Sequence, residues 1–70
     1  MSVLISTLFA KSGLVEQKFR KKIRDALNLL KEQNYEKVTI PELEKAIVSK
    51  GYMRDINRTD FNKICKILFE

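Results

Sequence analysis

Histidine and tryptophan are absent from this 70-residue sequence, which also has only one cysteine, one proline and two glycines. Without histidine, and with Cys65 as the sole thiol, the chain offers no ordinary zinc ligand set, no internal disulfide and no nucleophile–histidine pair. Two glycines are too few for a glycine-rich phosphate loop. The composition therefore predicts a non-enzyme with no metal, no cofactor and no small-molecule substrate. A single cysteine is typical of a reducing, intracellular setting, cytoplasmic or nuclear.

Long apolar runs are also missing, since no stretch approaches the roughly 20 residues that a membrane-spanning helix needs. We therefore expect no membrane partner. The apolar residues 1–9 could belong to a targeting peptide, but Glu16 and Asp25 interrupt the acid-poor pattern of such peptides. Leu4 and Leu8 are spaced as on one face of a helix, whereas residues 3–5 would also suit a strand. We favour a short N-terminal helix or arm, residues 1–13, packed on the rest of the chain.

Two stretches of the sequence have the pattern of a helix start. In residues 38–43, Thr39 stands at an N-cap position with Glu42 three residues later, which is a capping box, and Val38 and Leu43 form a hydrophobic staple. Residues 56–61 repeat the pattern, with Asn57 as the cap. Each stretch therefore predicts the beginning of a helix.

Three helices follow from the apolar spacing and these signals. The first long helix is predicted from about Leu14 to Gln33, with Ser12 as a plausible cap. The second runs from Ile40 to about Lys50, ended by Gly51, and the third runs from about Arg58 to the end. We expect an all-α fold: residues 14–70 as a tri-helical, helix-turn-helix bundle, with at most a residual strand over residues 38–40. The predicted core stripe of the first long helix is Val15, Phe19, Ile23, Ala26, Leu27 and Leu30.

Basic residues outnumber acidic ones, which gives a net charge of +5 and an isoelectric point of about 9.6. Seven basic and three acidic residues lie in residues 1–35, against seven and six in residues 36–70, so the excess is in the first half. The first long helix places Arg20, Arg24 and Lys31 along one flank, with Lys21 near the outermost line. This flank is either an ordinary solvated surface or a stripe that contacts phosphates.

The order of features from Tyr35–Ile40 through the helix of residues 42–51 to the Asp55–Phe61 step resembles the DEK C-terminal domain family over residues 15–70. That resemblance implies a winged-helix-like fold and DNA binding, with self-association in some members. It would make Lys63 and Lys66 phosphate contacts, with Thr59 and Asn62 as possible base-edge readers. The basic excess on the first long helix departs from the family pattern.

Other resemblances cover shorter segments. Residues 43–52 are similar to the first helix of a SAP-type DNA module, and residues 39–43 are similar to the exit of an EF-hand loop. Residues 33–37 lack the alternating oxygen ligands and central glycine of a calcium loop, so an EF-hand-like domain here would be metal-free.

Two functions stay open from the sequence. The first is DNA binding of low sequence specificity through the first and third helices, by Arg20, Lys21, Arg24, Lys31, Thr59, Asn62, Lys63 and Lys66. The second is protein interaction or self-association as a homodimer, in which the arm contributes Val3, Leu4, Leu8 and Phe9, provided that these side chains are exposed.

Overall fold

Four helices and a two-stranded sheet make up the computed structural model, which describes residues 1–70. In chain order the elements are β1 (Val3–Leu4), α1 (Ile5–Lys11), a 3₁₀ turn (Ser12–Leu14), α2 (Gln17–Glu32), β2 (Lys37–Val38), α3 (Ile40–Ser49), a second 3₁₀ turn (Tyr52–Arg54) and α4 (Arg58–Phe69). The predicted all-α class is confirmed, as a small helical bundle.

Both predicted helix starts are present. At α3 the Thr39 hydroxyl accepts from the Glu42 backbone N–H at 3.4 Å, and the Thr39 N–H donates to the Glu42 carboxylate at 2.8 Å, which completes the capping box. At α4 the Asn57 side chain accepts from the Asp60 N–H at 2.8 Å. These bonds satisfy backbone donors that a helix start leaves without partners.

A residue in the left-handed backbone conformation follows each of α2 and α3, close to where the sequence predicts that these helices end. Gly51 follows α3 with φ of 76°, as expected for a glycine at this position. Asn34 follows α2 with φ of 67°, and the N–H groups of Asn34 and Tyr35 donate to the carbonyls of Lys31 and Leu30. This is the paired bonding of a Schellman motif, which ends α2 without a glycine.

The start of α2 differs from the prediction. Leu14 ends a 3₁₀ turn, Val15 is extended with φ of −76° and ψ of 147°, and α2 begins only at Gln17. Ser12 does not cap the helix, because its hydroxyl donates to the Phe9 carbonyl and accepts from the Arg24 guanidinium. The side chain that we expected to start α2 instead joins the end of α1 to the middle of α2.

The N-terminal residues form both elements that the sequence left open. Val3 and Leu4 pair antiparallel with Val38 and Lys37, and the Ile5 N–H donates to the Glu36 carbonyl at 2.9 Å. The chain then turns at once into α1, which packs against both α2 and α4. The short helix therefore packs against two longer ones through a face that contains the buried Leu8.

A single hydrophobic core holds these elements together. The whole predicted stripe of the first long helix is buried, and so are apolar residues on one face of α3 and of α4. The core consists of Leu8, Val15, Phe19, Ile23, Ala26, Leu27, Leu30, Val38, Leu43, Ala46, Ile47, Ile56, Phe61, Ile64, Cys65, Leu68 and Phe69.

Candidate nucleic-acid interface

The basic stripe of α2, which we define as Arg20, Lys21, Arg24 and Lys31, runs along one side of that helix. Arg20 is half-buried and the other three side chains are exposed. Because an α-helix has 3.6 residues per turn, positions 20, 24 and 31 lie close to one line, about 17 Å long at 1.5 Å per residue. Asp25 follows Lys21 by four residues and lies on a different side of the helix from positions 20, 24 and 31. Arg20, Arg24 and Lys31 are therefore a row of cations without an acidic residue among them.

Salt bridges do not neutralise this row. The structure contains two, Lys18 with Glu16 at 3.8 Å and Arg58 with Glu44 at 2.9 Å, and neither involves the basic stripe. The charges of the stripe are therefore free to interact with an external anion.

The half-buried Arg20 side chain reaches back over the turn that precedes α2. Its Nη2 donates to the carbonyls of Gly13 and Val15, at 3.1 and 3.0 Å. Its Nε is buried without a hydrogen-bond partner. Arg20 is thus held in place by backbone carbonyls, and no carboxylate forms a salt bridge that would offset its charge.

Arg24 is tied to the same turn through Ser12. The Arg24 Nε donates to the Ser12 hydroxyl oxygen at 2.8 Å, and Ser12 is 0% exposed. Sequence reasoning missed this contact, because nothing in the spacing of Ser12 and Arg24 shows that α2 folds back along residues 12–15. One sequence signal could have suggested the contact between Ser12 and Arg24. It is the serine–glycine pair that precedes a helix with arginines on one flank.

The four residues predicted on the third helix are all exposed on α4: Thr59, Asn62, Lys63 and Lys66. Asp60 lies on the same helix and Glu70 directly follows it, and both reduce its positive potential. The 3₁₀ turn of residues 12–14, which holds the two arginines of α2, also packs against α4. This turn is therefore the structural link between the two helices that carry the predicted contacts.

The four predicted contact residues of the arm differ in exposure. Leu8 is 0% exposed, and Val3 and Phe9 are partly buried against the core, whereas Leu4 is 46% exposed. Because Leu8 is completely buried, it cannot reach a partner in the folded chain. Leu4 is the member of the set that is available to one.

An apolar cavity of about 390 Å³ lies between α4 and the start of α3. Its apolar lining is Met1, Ile40, Phe61, Cys65 and Phe69. Burial raises the pKa of the Cys65 thiol to about 11, so the thiol is protonated at neutral pH and is a poor nucleophile.

Two polar contacts outside the basic stripe join secondary-structure elements. The Tyr52 hydroxyl donates to Asp25 at 2.9 Å, which raises the pKa of Tyr52 and joins the turn after α3 to α2. Arg58 donates to both carboxylate oxygens of Glu44, which lowers the pKa of Glu44 and joins α4 to α3. Asp25 and Glu44 are both engaged in these contacts.

Comparisons with known proteins add no relative. No protein-family model, curated protein or solved structure matches this chain. The resemblance to the DEK C-terminal domain stays a prediction. None of the helices is long and apolar enough to cross a membrane.

Proposed function

We propose that this chain is a non-enzymatic module that binds the phosphate backbone of DNA with low sequence specificity. The observation that carries the proposal is the basic stripe of α2, whose four cations have no carboxylate partner. At about 3.4 Å of duplex axis per phosphate on each strand, a row of about 17 Å is long enough to meet several phosphates.

In this proposal α4 is the second contact element, in the place of a recognition helix. Lys63 and Lys66 contact phosphates, and Thr59 and Asn62 are the side chains able to reach base edges. The capped α3, its Gly51 stop and the capped α4 support the helix-turn-helix interpretation. An intracellular setting, cytoplasmic or nuclear, belongs to the same proposal and is supported by the single, buried and reduced Cys65.

Salt dependence tests the proposal directly. Six phosphate contacts, four from the basic stripe and two from Lys63 and Lys66, predict a slope of about −5.4 in log K against log salt, which is a loss of roughly 2,000-fold in affinity between 50 and 200 mM salt. Fluorescence anisotropy with a labelled mixed-sequence duplex measures this slope. Absence of binding at low salt would overturn the proposal.

Two matched charge variants locate the contact surface. The Lys21→Gln/Lys31→Gln variant removes two exposed charges from the stripe, and we expect the slope to become shallower by about 1.8. The Lys45→Gln/Lys50→Gln variant removes the same charge from exposed positions of α3 and should keep the slope of the unmodified chain. Equal effects of the two variants would show that only net charge matters.

A second candidate is self-association, including association of a metal-free EF-hand-like domain. It is favoured by the exposed apolar side chains of Met1, Leu4 and Ile40, two of which line the cavity beside α4. In this case the occupant of the cavity is a second copy of the chain. Sedimentation of the protein alone tests it: a monomer at all concentrations up to about the millimolar range removes this candidate.

A further inference from the structure

The guanidinium groups of Arg20 and Arg24 lie beside the same residue, Gly13. Arg20 Nη2 is 3.1 Å from the Gly13 carbonyl oxygen, and Arg24 Nη2 is 3.9 Å from the position that a Cβ atom on Gly13 would occupy. Neither group forms a salt bridge. Two like charges that lie against one residue, neither of them paired with a carboxylate, create a positive potential that an anion would relieve.

Ser12 fixes the direction of one of these groups. It is the only polar residue in the buried part of the chain, and its hydroxyl has a single proton, which it donates to the Phe9 carbonyl. Its oxygen therefore faces Arg24 as an acceptor. Arg24 uses only its Nε in this bond, so both of its Nη groups keep donors for a ligand.

The residue types on α2 agree with this division of roles. Of the six basic residues on the helix, the two that contact the turn of residues 12–15 are arginines. The other four are lysines: Lys18, Lys21, Lys22 and Lys31. Arginine presents a planar fork of donors that matches a phosphate, whereas lysine acts as a point charge.

We propose that Arg20 and Arg24, set by the Ser12–Val15 turn, form a clamp for one phosphate group, with Ser12 as the residue that positions Arg24. The proposal rests on the proposed function for its ligand, a backbone phosphate of DNA. Because both guanidinium groups are already held in place, binding costs little side-chain ordering. The lysines of the stripe contribute positive charge alone, whereas the two arginines of the clamp also direct hydrogen-bond donors towards the phosphate.

The alternative role for the two arginines is purely structural, as ties between the turn and α2. If the two arginines only join the turn to α2, the Arg24→Lys variant, which keeps the charge, should alter stability and leave the affinity for anions unchanged. A clamp predicts a loss of affinity in the same variant. The two roles therefore predict different anion affinities for a variant whose net charge is unchanged.

The first arm of the test uses inorganic pyrophosphate at constant ionic strength, with the melting temperature as the measure of binding. We expect stabilisation of the unmodified chain. The apparent affinity should be roughly 3- to 10-fold weaker in Arg24→Lys, as for the loss of one hydrogen bond. The control Lys45→Gln, which removes an exposed charge on α3 outside the basic stripe, should change that affinity by less than about twofold.

The second arm uses the labelled duplex with Ser12→Ala, Arg24→Lys and the double variant. Ser12→Ala keeps every charge, so the salt slope should be unchanged while affinity falls roughly 3- to 10-fold. The double variant should bind no more weakly than the weaker single variant, because both changes break the same bond. If Ser12→Ala does not fold, Arg20→Lys takes its place and should also weaken binding.

The outcomes separate the clamp from the proposed function. Unchanged affinity of Arg20→Lys and Arg24→Lys for both pyrophosphate and duplex would overturn the clamp, and salt-dependent binding to the duplex would still support the module. Pyrophosphate binding that depends on Arg24, together with no binding to the duplex, would support the clamp and overturn DNA as its ligand.

Discussion

Replacing Leu8 by alanine tests whether the N-terminal helix is part of the core. Leu8 is 0% exposed between α1, α2 and α4 and belongs to the single core cluster. Leu14, in the turn that follows α1, is 73% exposed and is a matched control for the same chemical change. We expect Leu8→Ala to destabilise the chain strongly and Leu14→Ala to have almost no effect.

The magnitude follows from the burial of the two side chains. A buried leucine replaced by alanine costs about 2–5 kcal/mol, through lost transfer energy and the cavity left behind. The whole chain is expected to have a free energy of unfolding of about 4–10 kcal/mol at this length. At about 4–8 °C per kcal/mol, even the lower cost reduces the melting temperature by about 8–16 °C. The exposed Leu14 should change stability by no more than about 0.5 kcal/mol.

Thermal and urea unfolding, followed by far-ultraviolet circular dichroism, measure both variants. A melting temperature of Leu8→Ala within about 2 °C of the unmodified chain would refute the burial of Leu8 in the core, because a side chain on a peripheral arm loses little on truncation. A large effect of Leu14→Ala would refute the assignment of the turn as an exposed surface.

Three further predictions concern single contacts. Thr39→Ala removes the capping box of α3 and should lower the free energy of unfolding by about 0.5–2 kcal/mol in urea titrations, whereas Thr59→Ala, an exposed threonine that caps nothing, should not. The pKa of Glu44 is lowered from 4.5 by Arg58, so the stabilisation that it provides is present above about pH 4.5 and is lost as the pH falls through its folded-state pKa. Urea titrations of Glu44→Gln and the unmodified chain should therefore differ near pH 7, and the difference should shrink as the pH falls below about 4.5. A difference that stays constant as the pH falls would contradict the ion pair. Cys65, with its pKa raised to about 11 from 9.0, should react slowly with a thiol reagent at about pH 8 in the folded chain and rapidly in urea, and equal rates would contradict its burial.

The features that the sequence predicted correctly are local ones. The capping box of Thr39 and Glu42, the Asn57 cap and the Gly51 stop each depend on residues within a few positions, so they can be read without the fold. The apolar stripe of α2 depends only on the helical period. For these features the local pattern and the tertiary structure agree.

The features that the sequence did not reveal depend on contacts between distant residues. The pairing of Val3 with Val38 and the bond between Tyr52 and Asp25 join parts of the chain that only the fold brings together. The same is true of Ser12, which has the sequence context of a helix cap but bonds to a guanidinium 12 positions later. Of the candidate site, the charges on α2 were predictable, whereas the turn that orients its arginines was not.

The closeness of the first and last residues of the chain has a consequence for its connectivity. Met1, Phe69 and Glu70 all line the cavity beside α4, so the two ends of the polypeptide lie at the same side of the bundle. A short flexible linker could join them into a closed ring without displacing any helix, and new ends could then be opened in the exposed residues 33–34 between α2 and β2. Such a circular permutant would keep the basic stripe and the turn of residues 12–15 within one uninterrupted stretch of chain.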